Sequence, residues 1–184
     1  MNNNLFFGLL LLSFNYNCAE VNSQDMTHNS KQVDSVYVGQ THFSGDLVRE
    51  DTLYTAIIRV DKQQDNEHVL SIQMNLKKDG YFVSPTQPGS FKGRFTIVLT
   101  EPQHIQTNGA IIETPSSKVD ENEGFVKWVR QNTHYKQSLK VRSNDNFEVY
   151  GYIQFTIEPR CTLEKIPFIL SYEKGKLSVK RDGC

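Results

Sequence analysis

A chain of 184 residues with a formal net charge of −1 carries no electrostatic footprint for nucleic acid, and no run of Lys or Arg reverses that balance. Its length suits one domain plus a short leader, and such a domain buries roughly 70% of the surface its unfolded chain exposes. Phe and Tyr are plentiful and Met is scarce, and the apolar residues fall in short alternating runs, which points to β structure.

In chain order, the first element is Leu5–Phe14, LFFGLLLLSF. This apolar run is too short to span a bilayer, which needs about 20 residues, and has the length of a secretory signal core. MNNN ahead of it holds no Lys or Arg, so only the α-amino group supplies positive charge. On this reading residues 1–18 are a signal peptide and the protein is exported, to the periplasm or as a membrane-anchored lipoprotein. A buried N-terminal element of the mature fold is the alternative. Cys18 follows the run directly, where bacterial lipoproteins carry their diacylated cysteine, although Asn15 and Asn17 differ from the aliphatic and small residues usual before it. The other outcome is cleavage near Ala19 with Cys18 discarded. A lipid on Cys18 is the only membrane contact expected. Residues 19–34 are polar and aperiodic and read as a linker, which leaves 35–184 as the domain.

Within that domain Ser35–Phe43 is a weakly patterned first edge strand. Tyr54, Ala56, Ile58 and Val60 alternate with Thr55, Ile57 and Arg59, and Ile57 faces a second apolar layer. Gln63–Glu67 is a turn. Leu70, Ile72, Met74 and Leu76 then alternate with Ser71, Gln73 and Asn75. Gly80–Pro85 is a short extended piece that runs into the loop PTQPGSFKG, followed by the run Phe95, Ile97 and Leu99. Ala110–Ile112 suggests a strand, and SSKVDENEG an exposed loop. Phe125–Val129 and Tyr135–Val141 are strands separated by a polar break.

The pattern is most regular in Phe147–Ile157. Phe147, Val149, Gly151, Ile153, Phe155 and Ile157 share one side, and Tyr150, Tyr152, Gln154 and Thr156 the other. Pro159 and Pro167 bracket RCTLEKI, which is expected to leave the sheet and return, placing Cys161 at the rim of the fold. PFILSY and KLSVKR close the chain as a hairpin about Lys174-Gly175, a register that sets Cys184 opposite Lys165. About eight strands without a long helix, spaced by turn signals, predict an all-β fold. A two-layer antiparallel sandwich is favoured over a barrel, because each half-apolar sheet must bury one face.

Chemistry-bearing motifs are sparse. His28, His42, His68, His104 and His134 show no metal-ligand spacing and read as surface or turn residues, so neither a metal nor a cofactor is expected. The acidic pairs Glu50-Asp51 and Asp120-Glu121 read as solvated loop charges. Trp128, Tyr150 and Tyr152 are candidates for an aromatic binding surface or for packing against a neighbour. Cys161 is flanked by Arg160 and Lys165, and nearby positive charge favours the thiolate that performs thiol–disulfide exchange. A buried structural cysteine is the alternative. In an oxidising compartment Cys161 and Cys184 can pair, a closure contributing roughly 3 kcal/mol in the chain-entropy model. Equally, Cys161 can remain a thiol.

Three segments carry a resemblance: LSIQMNLKKDGYFVSP, the Pro-Gly loop with FTIVL after it, and VYGYIQFTIEPRCT. With them the region from about Thr52 to Leu177 resembles the N-terminal domain of the thiol:disulfide interchange protein DsbD, and more closely its stand-alone Bacteroidetes-type relatives. The resemblance implies an immunoglobulin-like sandwich in the cell envelope, with a cysteine pair that passes electrons between a membrane or thioredoxin-like donor and other thiol proteins. Cys161 matches the first cysteine of that pair. The second is missing, for Lys165-Ile166-Pro167 stands in its place. A lone cysteine forms a mixed disulfide but lacks the thiol that resolves it. Two functions follow: exchange through Cys161 with Cys184, or a redox-inactive binding or adaptor module.

Overall fold

The computed structural model describes residues 45–64, 66–122 and 124–182, all within the unit Gln40–Cys184. The expected leader, Cys18, the linker, the strand at Ser35–Phe43 and Cys184 lie outside the described residues.

Those residues form twelve strands: β1 (Leu47–Glu50), β2 (Tyr54–Gln64), β3 (Glu67–Leu76), β4 (Phe82–Val83), β5 (Thr96–Leu99), β6 (Ile105–Thr114), β7 (Val119–Asp120), β8 (Val126–Val129), β9 (Thr133–Val141), β10 (Phe147–Ile157), β11 (Thr162–Glu173) and β12 (Lys176–Lys180). The expectation of about eight strands is corrected upward. β1, β4 and β7 are too short to show a period in sequence, and β7 lies inside the segment read as an exposed loop.

The strands pair antiparallel in a five-stranded sheet ordered β1-β2-β3-β9-β6, a four-stranded sheet ordered β12-β11-β10-β5, and a small sheet ordered β4-β8-β7. The architecture is an all-β antiparallel sandwich. Alternation decides which faces meet. Tyr54, Ala56 and Ile58 of β2, with Leu70, Ile72 and Met74 of β3, are buried against Val149, Ile153, Phe155 and Ile157 of β10 and Phe168 and Leu170 of β11. Phe155 links the layers: its ring lies 5.2 Å from Tyr54 and 5.1 Å from Phe82, while Phe95 stacks on Tyr135 at 4.3 Å. Burying a side chain of this size contributes about 1.5–3 kcal/mol.

Close approach shapes two positions. Gly151 lies where an added Cβ would stand 2.7 Å from the Phe168 ring, so β10 and β11 need a residue without one there. The β11–β12 hairpin turns through Lys174 and Gly175, both at positive φ (49° and 79°), between the paired residues Glu173 and Lys176. Two successive left-handed residues match the twist of the flanking strands. The hairpin therefore has the register expected from sequence, with Ile169 opposite Lys180.

Candidate functional site

Burial of the inward side of β10 carries the chain straight to the end of the sandwich, where Glu158 pairs with Tyr81. Only four residues, Glu158 to Cys161, lie between β10 and β11. Cys161, the last of them, is exposed and has φ 54°. β11 begins at once, with Thr162 opposite Ile157. The expectation that the whole of RCTLEKI leaves the sheet is therefore corrected. Pro167 sits within β11 opposite Tyr152, beyond the reach of β12, whose pairing starts at Ile169. A missing N–H is tolerated on such an open side.

Carboxylates hold the cation beside Cys161. The Arg160 guanidinium lies 2.7 Å from Glu164 and 3.3 Å from Asp51, and the Tyr54 hydroxyl donates to Glu164 at 2.9 Å. Burial works to raise the Asp51 pKa, but the Leu53 N–H and the Arg160 guanidinium outweigh it and hold the carboxyl below the usual aspartate range. Burial, and then Glu164, push the Tyr54 hydroxyl far above an ordinary phenol, so it stays a donor. Lys165 places its Nζ 3.9 Å over the Tyr152 ring. The sequence reading that Arg160 and Lys165 both favour a thiolate is thus weakened, since carboxylates and an aromatic face engage them. The segment Lys165–Pro167 lies inside a continuous strand.

Register assigns the outer face of the four-stranded sheet. Tyr150, Tyr152, Gln154 and Thr156 of β10 stand beside Ile169, Pro167, Lys165 and Leu163 of β11, and Thr96 and Val98 of β5 flank them. Tyr150 and Leu163 are 49% and 57% exposed. The Pro-Gly loop crosses this face beside Leu163. Thr156 N–H donates to the Gly93 carbonyl at 2.7 Å, and between loop and sheet runs an open groove of about 530 Å³ that Phe91, Lys92 and Leu163 line. Sequence reading missed Phe91, Lys92 and Leu163. The signal for Leu163 and Lys165 was their period-two spacing in a segment read as leaving the sheet.

Trp128 belongs elsewhere. It lies in the small sheet, edge-on to Tyr81 at 5.1 Å, with Arg130 4.2 Å over the Tyr81 ring. The joint aromatic surface expected of Trp128, Tyr150 and Tyr152 is therefore reduced to the two tyrosines. Two histidines depart from the surface-or-turn reading, while His104 keeps to it in a turn, and His28 and His42 lie outside the described residues. His68 is buried in β3, and His134, within β9, meets Ser71 Oγ at 2.5 Å. His104 stacks on Phe147 at 5.1 Å. Asp51 is an ion-pair partner rather than a solvated charge. A further carboxylate, Glu113, is buried and accepts from Ser84 Oγ and Ser117 N–H, both at 2.5 Å, which ties β6 to the segment after β4.

No family model matches the chain, and no curated protein does. Among solved structures, the GAE domain of GGA2p from Saccharomyces cerevisiae is similar at 5% identity and a TM-score of 0.39, covering 70% of this chain and 98% of that one. The yeast GGA1 GAE domain is similar at 7% identity and a TM-score of 0.38, with the same coverage.

Proposed function

We propose that the chain is an exported immunoglobulin-like binding module of the cell envelope that meets a protein partner on the outer face of its four-stranded sheet. The carrying observation is that exposed apolar side chains lie along that one face: Leu163 on β11 with Phe91, 37% exposed, on the loop beside it, and Tyr150 further along β10, opposite Ile169. Large apolar groups gathered on one face mark contact surfaces more often than scattered ones do. Export rests on the signal-like run Leu5–Phe14. To test the reading, p-benzoylphenylalanine is placed at Tyr150 in producing cells and irradiated. A discrete protein adduct that disappears with Leu163→Glu supports it, and no adduct from this position overturns it.

The exposure of Cys161 at a strand turn favours a second reading, thiol–disulfide exchange of the kind the DsbD resemblance implies. It needs a resolving thiol, for which Cys184 is the candidate within this chain. Intact-mass measurement with thiol alkylation, with and without a thioredoxin-like reductant, separates the two readings. A Cys161–Cys184 bond that this donor reduces readily supports exchange. A bond inert to the donor, or an unreactive Cys161, removes it.

A further inference from the structure

We propose that the outer edge of β5, together with the groove beside it, takes an extended peptide of alternating acidic and apolar residues from a protein partner; this rests on the binding-module reading and names its ligand. The parity of the edge follows from one bond. Thr100 N–H donates to the Tyr150 carbonyl at 2.9 Å, so Thr96 and Val98 turn their backbone groups toward β10, and Ile97 and Leu99 turn theirs away. Phe95, of the same parity as Ile97, donates its N–H to Val83 at 2.9 Å. From Ile97 to Leu99, no strand among the described residues pairs with that edge.

The other edges of the two large sheets are defended. On β1 the Val48 carbonyl accepts from Arg181 at 3.4 Å. β6 breaks register between Asn108 and Ile112, and β12, KLSVK, has a lysine at each end. Charges, bulges and caps of this kind keep an edge from recruiting a strand. β5 is TIVL, uncharged and without a bulge. It is built as an acceptor for strand addition, in which main-chain bonds supply affinity and alternate side chains supply specificity.

The groove sets the side-chain chemistry. Its lining includes Lys92 and Arg94 and no carboxylate. It is also pre-formed: Arg94 Nη1 donates to the Gln87 and Gly89 carbonyls at 3.2 and 2.9 Å, and Gly93 lies so close to Thr156 that an added Cβ would stand 2.1 Å from its Oγ1. A loop held this way loses little freedom on binding. A strand laid along β5 sets alternate side chains beside Thr96 and Val98, on the face where Thr96 lines the cationic groove, and the others beside the half-buried Ile97 and Leu99. Acidic residues suit the first set and apolar residues the second.

The test titrates the full chain with a fluorescein-labelled octapeptide of alternating glutamate and valine, followed by anisotropy and amide chemical shifts. Two control peptides replace glutamate by lysine or carry N-methylated backbones. Expected are saturable binding of the acidic peptide, shifts centred on the Ile97 and Leu99 amides, and failure of both controls. Lys92→Glu weakens binding about fivefold, the scale of one rim charge. No binding, equal binding of the lysine peptide, or shifts centred on another edge overturns the inference. So does dimerisation of the free chain through β5, seen by sedimentation. If the acidic peptide fails while the adduct at Tyr150 persists, only the ligand assignment is lost. If the adduct fails as well, the module reading falls with it.

Discussion

The Tyr54 hydroxyl and the Glu164 carboxylate, 110 positions apart in sequence, meet at 2.9 Å across the end of the sandwich. Tyr54 belongs to the five-stranded sheet and Glu164 to the four-stranded one, so this bond joins the layers at the tip that carries Cys161. Arg160 fastens the same carboxylate and Asp51 besides. Tyr54→Phe is expected to cost about 1–2 kcal/mol, the worth of one part-buried bond to a charged acceptor, read from urea unfolding. Arg160→Ala acts locally instead: alkylation of Cys161 and hydrogen exchange at Cys161–Leu163 speed up while the unfolding midpoint barely moves. A large drop in midpoint with unchanged exchange at the tip would show that the clamp serves the fold and not the turn.

Gly93 combines a φ of 76° with contact against Thr156. Gly93→Ala therefore meets both a backbone penalty and a clash, and the cheapest relief is for the loop to lift from the sheet. The expected outcome is loss of hydrogen-exchange protection at Thr156, whose N–H donates to Gly93, with near-native circular dichroism. Protection retained at Thr156 would show that the loop absorbs the methyl without moving, and that the groove is less rigid than its contacts imply.

Phe155 touches the rings of Tyr54, Phe82 and Phe95 and is completely buried. Phe155→Ala removes that shared ring from the centre of the core and is expected to cost about 3–5 kcal/mol in urea unfolding. Gly151→Ala errs the other way, by overpacking against Phe168 and Leu99, for about 1–3 kcal/mol. Losses below 1 kcal/mol at both positions would mean the core is looser than its geometry.

How far the sequence reveals this molecule depends on whether a residue's partner lies across one strand or across the fold. The inward series from Val149 to Ile157 is written in a period of two, and the structure buries each of its members. The Lys174-Gly175 turn is equally local. β7 is two residues long and carries no period, so it is invisible until Val119 and Asp120 find Lys127 and Val126. At the candidate site, Cys161 is legible as a rim residue because prolines and alternation are local signals. The engagement of Arg160 by Asp51 is not, since 109 positions separate them. Nor is the groove, which needs the Pro-Gly loop folded back over Thr156. His68 is polar, yet its place in the inward series of β3, with Leu70 and Ile72, decides its burial.

That histidine gives the last prediction. His68 is 2% exposed, and neither ring nitrogen has a hydrogen-bond partner. Burial, and then the charge of Lys62, hold its pKa below the ordinary histidine value of 6.5. The folded protein therefore keeps the ring neutral at pH values where the unfolded chain has already bound a proton. Below 6.5 the unfolded state binds more protons, so stability falls as the pH drops and levels off only once the folded-state pKa is passed. The slope from a single group is at most about 1.4 kcal/mol per pH unit. His134 shifts the same way, through burial and then Lys136 and Arg59, and adds to the slope. Urea unfolding from pH 8 down to pH 5 should show a flat region above neutrality and then a decline. His68→Leu should shallow that decline while leaving, or raising, stability at pH 8, because an apolar side chain replaces an unsatisfied polar one. A wild-type profile that stays flat to pH 5, or a variant with the same slope, would mean that His68 is reached by solvent or has a partner for its proton.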